Sequence, residues 1–249
     1  MPEDLTPQPL QLFSFSEFAG LTTLTNMTEL GSTSAQKVQA SISALLNDIA
    51  SNFAKTYPQM EAAADRLADM GWTFPMLVTP KALVTLADPT YADADIETML
   101  CDFYTDMNFE LLRVAQKDMM KAPSLSRWQG LLQEAFDNLY EGRVQIPVPA
   151  LLAITEGIIA DESGNLNAGI VKVRQMAAGL ENTQQHQSID RLIWRSIRRF
   201  VDHLFANAPF SGSQPPKLNR HWILHGRDAG PWTQADAVRL FASLHTLVS

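Results

Sequence analysis

The run Leu218-Asn219-Arg220-His221-Trp222-Ile223-Leu224-His225-Gly226-Arg227 concentrates reactive side chains. It brings two imidazoles, two guanidiniums and an amide together in a short stretch. An imidazole changes charge near neutral pH, so it can take a proton in one step and return it in the next. A guanidinium stays charged and forks onto phosphate oxygens, where it offsets developing negative charge. Together these groups suit chemistry at a phosphate.

Spacing alone does not single out this run. Arg220 and His225 stand five apart, and so do Arg198 and His203, while Arg239 and His245 are one residue further apart. Context favours Arg220. Asn219 precedes it, the polar His221 follows it, Pro215 and Pro216 lie upstream, and Gly226 follows His225. In the rival pairs the next residue is Arg199 or Leu240, inside a long helical pattern.

Two other readings share the segment. His221 and His225 are four apart, which places them on one helix face, as in a zinc-protease helix. Trp222 stands where such an enzyme needs the glutamate that activates water, and no third ligand is evident beyond Asp228. The expectation is therefore no metal and no cofactor. In the second reading both histidines merely cap or pack a short helix.

Two supporting features lie elsewhere. Arg191, Arg195, Arg198 and Arg199 make a basic stripe opposite the apolar Trp194, Ile197, Val201 and Leu204. A solvated charged face and a track for RNA phosphates both fit it. Glu156 sits in an otherwise apolar helix and needs a partner, for which Arg220, His225 or a group elsewhere in the core would serve.

The elements that must position these groups read as helices. Apolar residues recur at three- and four-residue steps from Val38 to Phe53, from Leu100 to Met119 within a helix expected over Ala92 to Lys121, and in segments of about 188–206 and 233–248. Tyr57-Pro58 is expected to interrupt the first of these. Further helices are expected from Met60 to Met70, from Ser124 or Ser126 to Tyr140, from Pro147 to Ala160 and over about 166–179. The one β-like patch, Met76 to Thr79, is short. The expected class is all-α, an antiparallel helical bundle. Its organisation reads as an irregular arm over 1–33, a helical region over 34–122 and a helical domain over 124–249.

The whole chain sets bounds. Its 249 residues are 46% hydrophobic, enough for a full core, and the net charge of -8 argues against nonspecific coating of nucleic acid or anionic membrane. The single cysteine, Cys101, excludes an internal disulfide, and its acidic neighbours Glu97 and Asp102 disfavour a thiolate. Neither a secretory leader nor a membrane span is apparent, so the expected location is cytoplasmic.

Arg, a polar residue, three further residues and His, late in an all-α chain, resembles the HEPN family of nucleotide-binding and RNase domains. The wording Leu218-Asn219-Arg220-His221 through His225-Gly226-Arg227 is similar to a bacterial branch of that family, and the segment Leu151 to Asp161 resembles a second signature of the branch. The likeness covers roughly the C-terminal half, from about Ser124. It implies metal-independent cleavage of RNA, giving a 2′,3′-cyclic phosphate and a 5′-hydroxyl. His225 would be the base and Arg220 the phosphate clamp, with Asn219 and His221 orienting substrate or the arginine. Arg195, Arg198, Arg199 and Arg227 would contact substrate, and Glu156 would support the site. The resemblance also implies a bacterial defence, toxin or stress setting, with an antitoxin or defence-system partner. Residues five apart lie about 140° apart on a straight helix, so Arg220 and His225 do not share a face. The resemblance relieves this through a homodimer whose two copies share the site. The rival function is a non-catalytic nucleotide- or protein-binding module that uses the same bundle to dimerise.

Overall fold

The computed structural model describes residues 32–162, 175, 178–179, 181–182, 188–228 and 230–249. The expected N-terminal arm and most of the helix expected over about 166–179 lie outside them. The chain divides into two compact units, 1–55 and 56–249. Among the described residues the regular elements are helical and no strand occurs.

The helices are α1 (Ser32–Asp69), α2 (Pro80–Thr85), α3 (Asp93–Met119), α4 (Gln129–Tyr140), α5 (Pro147–Glu162), α6 (Ile189–Leu204), α7 (Arg220–Leu224) and α8 (Gln234–Val248), with a 3-10 turn at Pro123–Trp128. Within the larger unit α8 is the centre. Every residue from Ala237 to Thr246 is buried, and α3, α5 and α6 all pack against it. Its start is fixed by a reciprocal cap. The Thr233 hydroxyl accepts from Asp236 N while the Asp236 carboxylate accepts from Thr233 N.

A helix buried all round must satisfy its polar side chains inside the protein. The Thr246 hydroxyl donates to the carbonyls of Phe74 and Ala242 or to Thr73, whose hydroxyl lies 3.0 Å away. Arg239 pairs with Glu97 on α3 and Asp236, and its guanidinium lies 5.3 Å from the Trp72 ring.

Three local expectations change. Pro58 lies inside α1 and does not end it. A proline removes one amide donor, but packing at Tyr57 and Met60, both buried, holds the turns beside it. The Met76–Thr79 patch is a turn and a cap: Val78 N donates to the Pro75 carbonyl, and the Thr79 hydroxyl accepts from Ala82 N at the start of α2. Helix α3 is broken inside its span. Asp106 is extended, and Met107, Asn108 and Phe109 have φ of 49°, 57° and 64°. Left-handed backbone costs a non-glycine residue roughly 1–2 kcal/mol. Phe109 packs at 5.1 Å on Tyr140, and Arg113 donates to the Asn108 carbonyl while lying over the same tyrosine, contacts that offset the cost. Because α3 packs on α8, helices from both sides of residue 124 share one core.

Helix α5 carries Glu156 and packs against α4, α7 and α8. Its Gly157 admits the Trp128 indole so closely that an added Cβ would stand 2.2 Å from Trp128 Cζ2. Cys101 is partly buried, and burial, then Asp102 and Glu97, push its thiol up to about 11. No helix among the described residues is long and apolar enough to cross a membrane.

Two outcomes follow for stability. Gly157→Ala must displace the indole and is expected to cost about 1–3 kcal/mol in urea denaturation; an unchanged midpoint would show that Trp128 yields freely. His245 is buried, with Nε2 3.8 Å from Asp118, and burial lowers its pKa against the smaller opposing pull of that aspartate. The folded state therefore favours neutral imidazole. That contribution is complete above the unfolded pKa of about 6.5 and is lost as pH falls below it. Stability should drop between pH 7.5 and 5, and less steeply in His245→Gln; parallel pH curves for the two proteins would exclude His245 as a cause.

Candidate functional site

The short helix α7 is held by three devices. Asn219 caps its start: Oδ1 accepts from Trp222 N at 3.2 Å, and Nδ2 donates to the Ala206 carbonyl at 3.0 Å. Trp222 and Ile223 bury its inner face, and Trp222 Nε1 donates to the Ala208 carbonyl at 2.9 Å. Gly226, at φ +66°, closes it, with Gly226 N bonding to Ile223 O and Arg227 N to Trp222 O. Asn219 is only 2% exposed, and its amide is engaged on both sides. Both contacts fix the start of α7.

The residues of the motif leave α7 in two directions. Arg220 turns toward α5, where it pairs with Glu156, and its guanidinium stands 5.8 Å from the Phe205 ring. Burial lowers its pKa. Arg220 thus supplies the partner that Glu156 needs, although the carboxylate is half-buried rather than fully enclosed.

His221 and His225 turn toward Phe210 in the α6–α7 connection. The His221 ring stacks on Phe210 at 4.5 Å with 3° between planes. His225 meets His221 edge-on at 4.6 Å and Phe210 at 5.8 Å. The Arg227 guanidinium lies 5.0 Å from the centre of the same phenyl ring. His225 and Arg227 are exposed and His221 is half-buried. Among the described residues no carboxylate pairs with any of the three, and no group of three or more His, Cys, Asp or Glu is placed to hold a metal. The geometry therefore joins His221, His225 and Arg227, and it gives Arg220 a different partner.

Three arginines of the basic stripe on α6 are engaged internally. Arg195 donates to Glu61 at 2.7 Å and Asp65 at 2.6 Å, and Arg199 donates to Asp69 at 3.0 Å and to the Asp65 carbonyl at 3.2 Å. Arg198 donates to Glu181 at 2.8 Å. Arg195 and Arg199 tie the end of α1 to α6. These pairs engage three of the four arginines of the stripe, which favours its reading as a structural face.

A cleft of about 650 Å³ lies beside the loop that follows the motif, lined by Asp93, Glu97, Asp228, Trp232, Asp236 and Arg239, among others. It includes neither histidine of the motif nor Arg227. Most of its carboxylates are held by arginines, Asp93 by Arg66 and both Glu97 and Asp236 by Arg239. The cleft is thus separate from the open face around Phe210, where His221, His225 and Arg227 meet. Phe210 lies between Pro209 and Ser211 in the α6–α7 connection, where no apolar periodicity marks it in the sequence.

The Arg220–Glu156 pair is testable by itself. The side chains are 26% and 36% exposed, so solvent screens the attraction. A double-mutant cycle with Glu156→Gln and Arg220→Gln should give a coupling of roughly 0.5–1 kcal/mol. Strict additivity would mean that the pair does not hold α7 to α5. Compared with known protein families, curated proteins and solved structures, the chain matches none.

Proposed function

We propose that the protein is a metal-independent endoribonuclease whose working groups are His225, His221 and Arg227. The observation that carries this reading is the pair of imidazoles in contact on the surface beside a guanidinium, with no carboxylate engaging them among the described residues. In the proposed reaction neutral His225 takes the proton of a ribose 2′-hydroxyl, and the 2′-oxygen attacks the adjacent phosphorus. The bond from phosphorus to the 5′-oxygen breaks, and that oxygen takes a proton from the His221 imidazolium. The products are a 2′,3′-cyclic phosphate and a 5′-hydroxyl. Arg227 offsets the charge that develops on the phosphoryl oxygens. Arg220, held by Glu156, acts here through the placement of α7.

The HEPN resemblance supports the same class of reaction. It extends the proposal to an antiparallel bundle, a homodimer with the motif near its interface, and a bacterial defence, toxin or stress role with an antitoxin or similar partner. That setting rests on analogy of family.

A second reading has its own observation. Arg195, Arg198, Arg199 and Arg220 are all paired with carboxylates of the same chain. A neutralised surface of this kind suits a non-catalytic binding or dimerisation module.

The deciding experiment incubates the protein with total RNA in EDTA, beside His225→Ala, Arg227→Ala and Arg220→Ala. Cleavage should persist in EDTA and fall about 100-fold or more in the first two variants. Equal cleavage by all four proteins would sink the residue assignment, and loss in EDTA would point to a metal. No cleavage of any RNA, with a dimer retained in light scattering, would establish the binding module instead.

A further inference from the structure

We infer that Phe210 is the positioning residue of this site: its ring gathers His221, His225 and Arg227 into one phosphate-binding cluster from which Arg220 is excluded. The inference rests on the ribonuclease reading for what the cluster does, though not for how it is built.

Three groups that carry or acquire positive charge do not assemble on a surface unaided. They repel one another when charged, and each gives up rotamer freedom to stay in place. A phenyl ring offsets both costs. Its face is the negative end of a quadrupole, so it attracts a guanidinium or an imidazolium laid over it. Phe210 meets all three groups. His221 lies parallel to it at 4.5 Å, Arg227 is 5.0 Å from its centre, and His225 approaches at 64° and 5.8 Å.

The ring is itself held. Gly212 N bonds to the Pro209 carbonyl at 2.9 Å, which closes a turn around Phe210. On its inner side Phe210 meets Trp222 at 6.1 Å and 69°, and the Trp222 indole is anchored on the Ala208 carbonyl. The phenyl is 39% exposed. Besides Trp222, the ring contacts of this half-open side chain among the described residues are all with the three basic groups. Arg220 cannot join them, since its guanidinium is committed to Glu156 on α5.

The test compares the full-length protein with Phe210→Leu, which keeps apolar bulk, and Phe210→Tyr, which keeps the ring. The first readout is the NMR position of the His221 imidazole protons, which a ring stacked at this distance shifts upfield. They should move downfield in Phe210→Leu and stay in Phe210→Tyr. The second is titration with inorganic phosphate, followed on the His221 and His225 resonances. Its affinity should weaken about tenfold in Phe210→Leu and recover in Phe210→Tyr, in line with the sensitivity of such sites to small misplacements. Unchanged melting in the variants would confirm that the fold is intact. If the His221 signals and the phosphate affinity of Phe210→Leu equal those of the wild type, the inference is overturned whatever the RNA assay gives. If they change as expected while the wild type cleaves no RNA, the positioning role stands and the ribonuclease reading falls.

Discussion

The larger unit depends on burying one helix on every side. Residues Ala237 to Thr246 of α8 leave no face to solvent, so α3, α5 and α6 are placed by what they must cover. This arrangement concentrates apolar burial, the largest favourable term in folding, around a single axis. It also places the polar side chains of α8 inside the protein, where Arg239 and Thr246 find partners. Arg239 reaches Glu97 and Thr246 reaches the Phe74 carbonyl, so the polar bonds of α8 tie it to the segments around it. The same bonds specify rotation about the helix axis, which apolar contact alone leaves loosely defined.

The candidate site is a secondary consequence of that core. Helix α5 packs on α8 and offers Glu156 to α7 at its other side. Helix α7 is too short to stand alone, and a nucleus of one or two turns is unfavourable in water. Its cap at Asn219, its Trp222 anchor and its Gly226 stop supply the order that length does not. The result is a rigid platform from which two histidines leave toward solvent.

Much of the helical pattern is legible in the residues, because apolar periodicity and caps are local signals. Thr233, where the last periodic segment begins, is the cap of α8, and the two-sided pattern of α6 shows which face turns inward. What stays hidden depends on contacts distant along the chain. No glycine or proline in Asp106 to Phe109 announces a break, and Phe109 at its end packs on Tyr140 of α4, far along the chain. The arginines of α6 are visible, while the α1 carboxylates that pair with Arg195 and Arg199 lie some 130 residues earlier. At the site, the His221–His225 pairing is a matter of helical spacing and can be read directly. The separation of Arg220 from His225 is also readable, as an angle around a helix. The part played by Phe210 is not, because an aromatic in a linker has no periodic pattern to place it.

The position of α8 along the chain has a consequence for synthesis. The helices that surround it leave the ribosome first, and the helix they surround comes after them. At about 5–20 residues per second, α3 waits on the order of ten seconds for its partner. During that interval Leu100, Phe103, Tyr104 and Leu112 of α3, all buried in the finished fold, lack the native partner that α8 provides. A nascent chain of this design carries an apolar helix face without its native cover for that interval, a window in which a chaperone has something to protect.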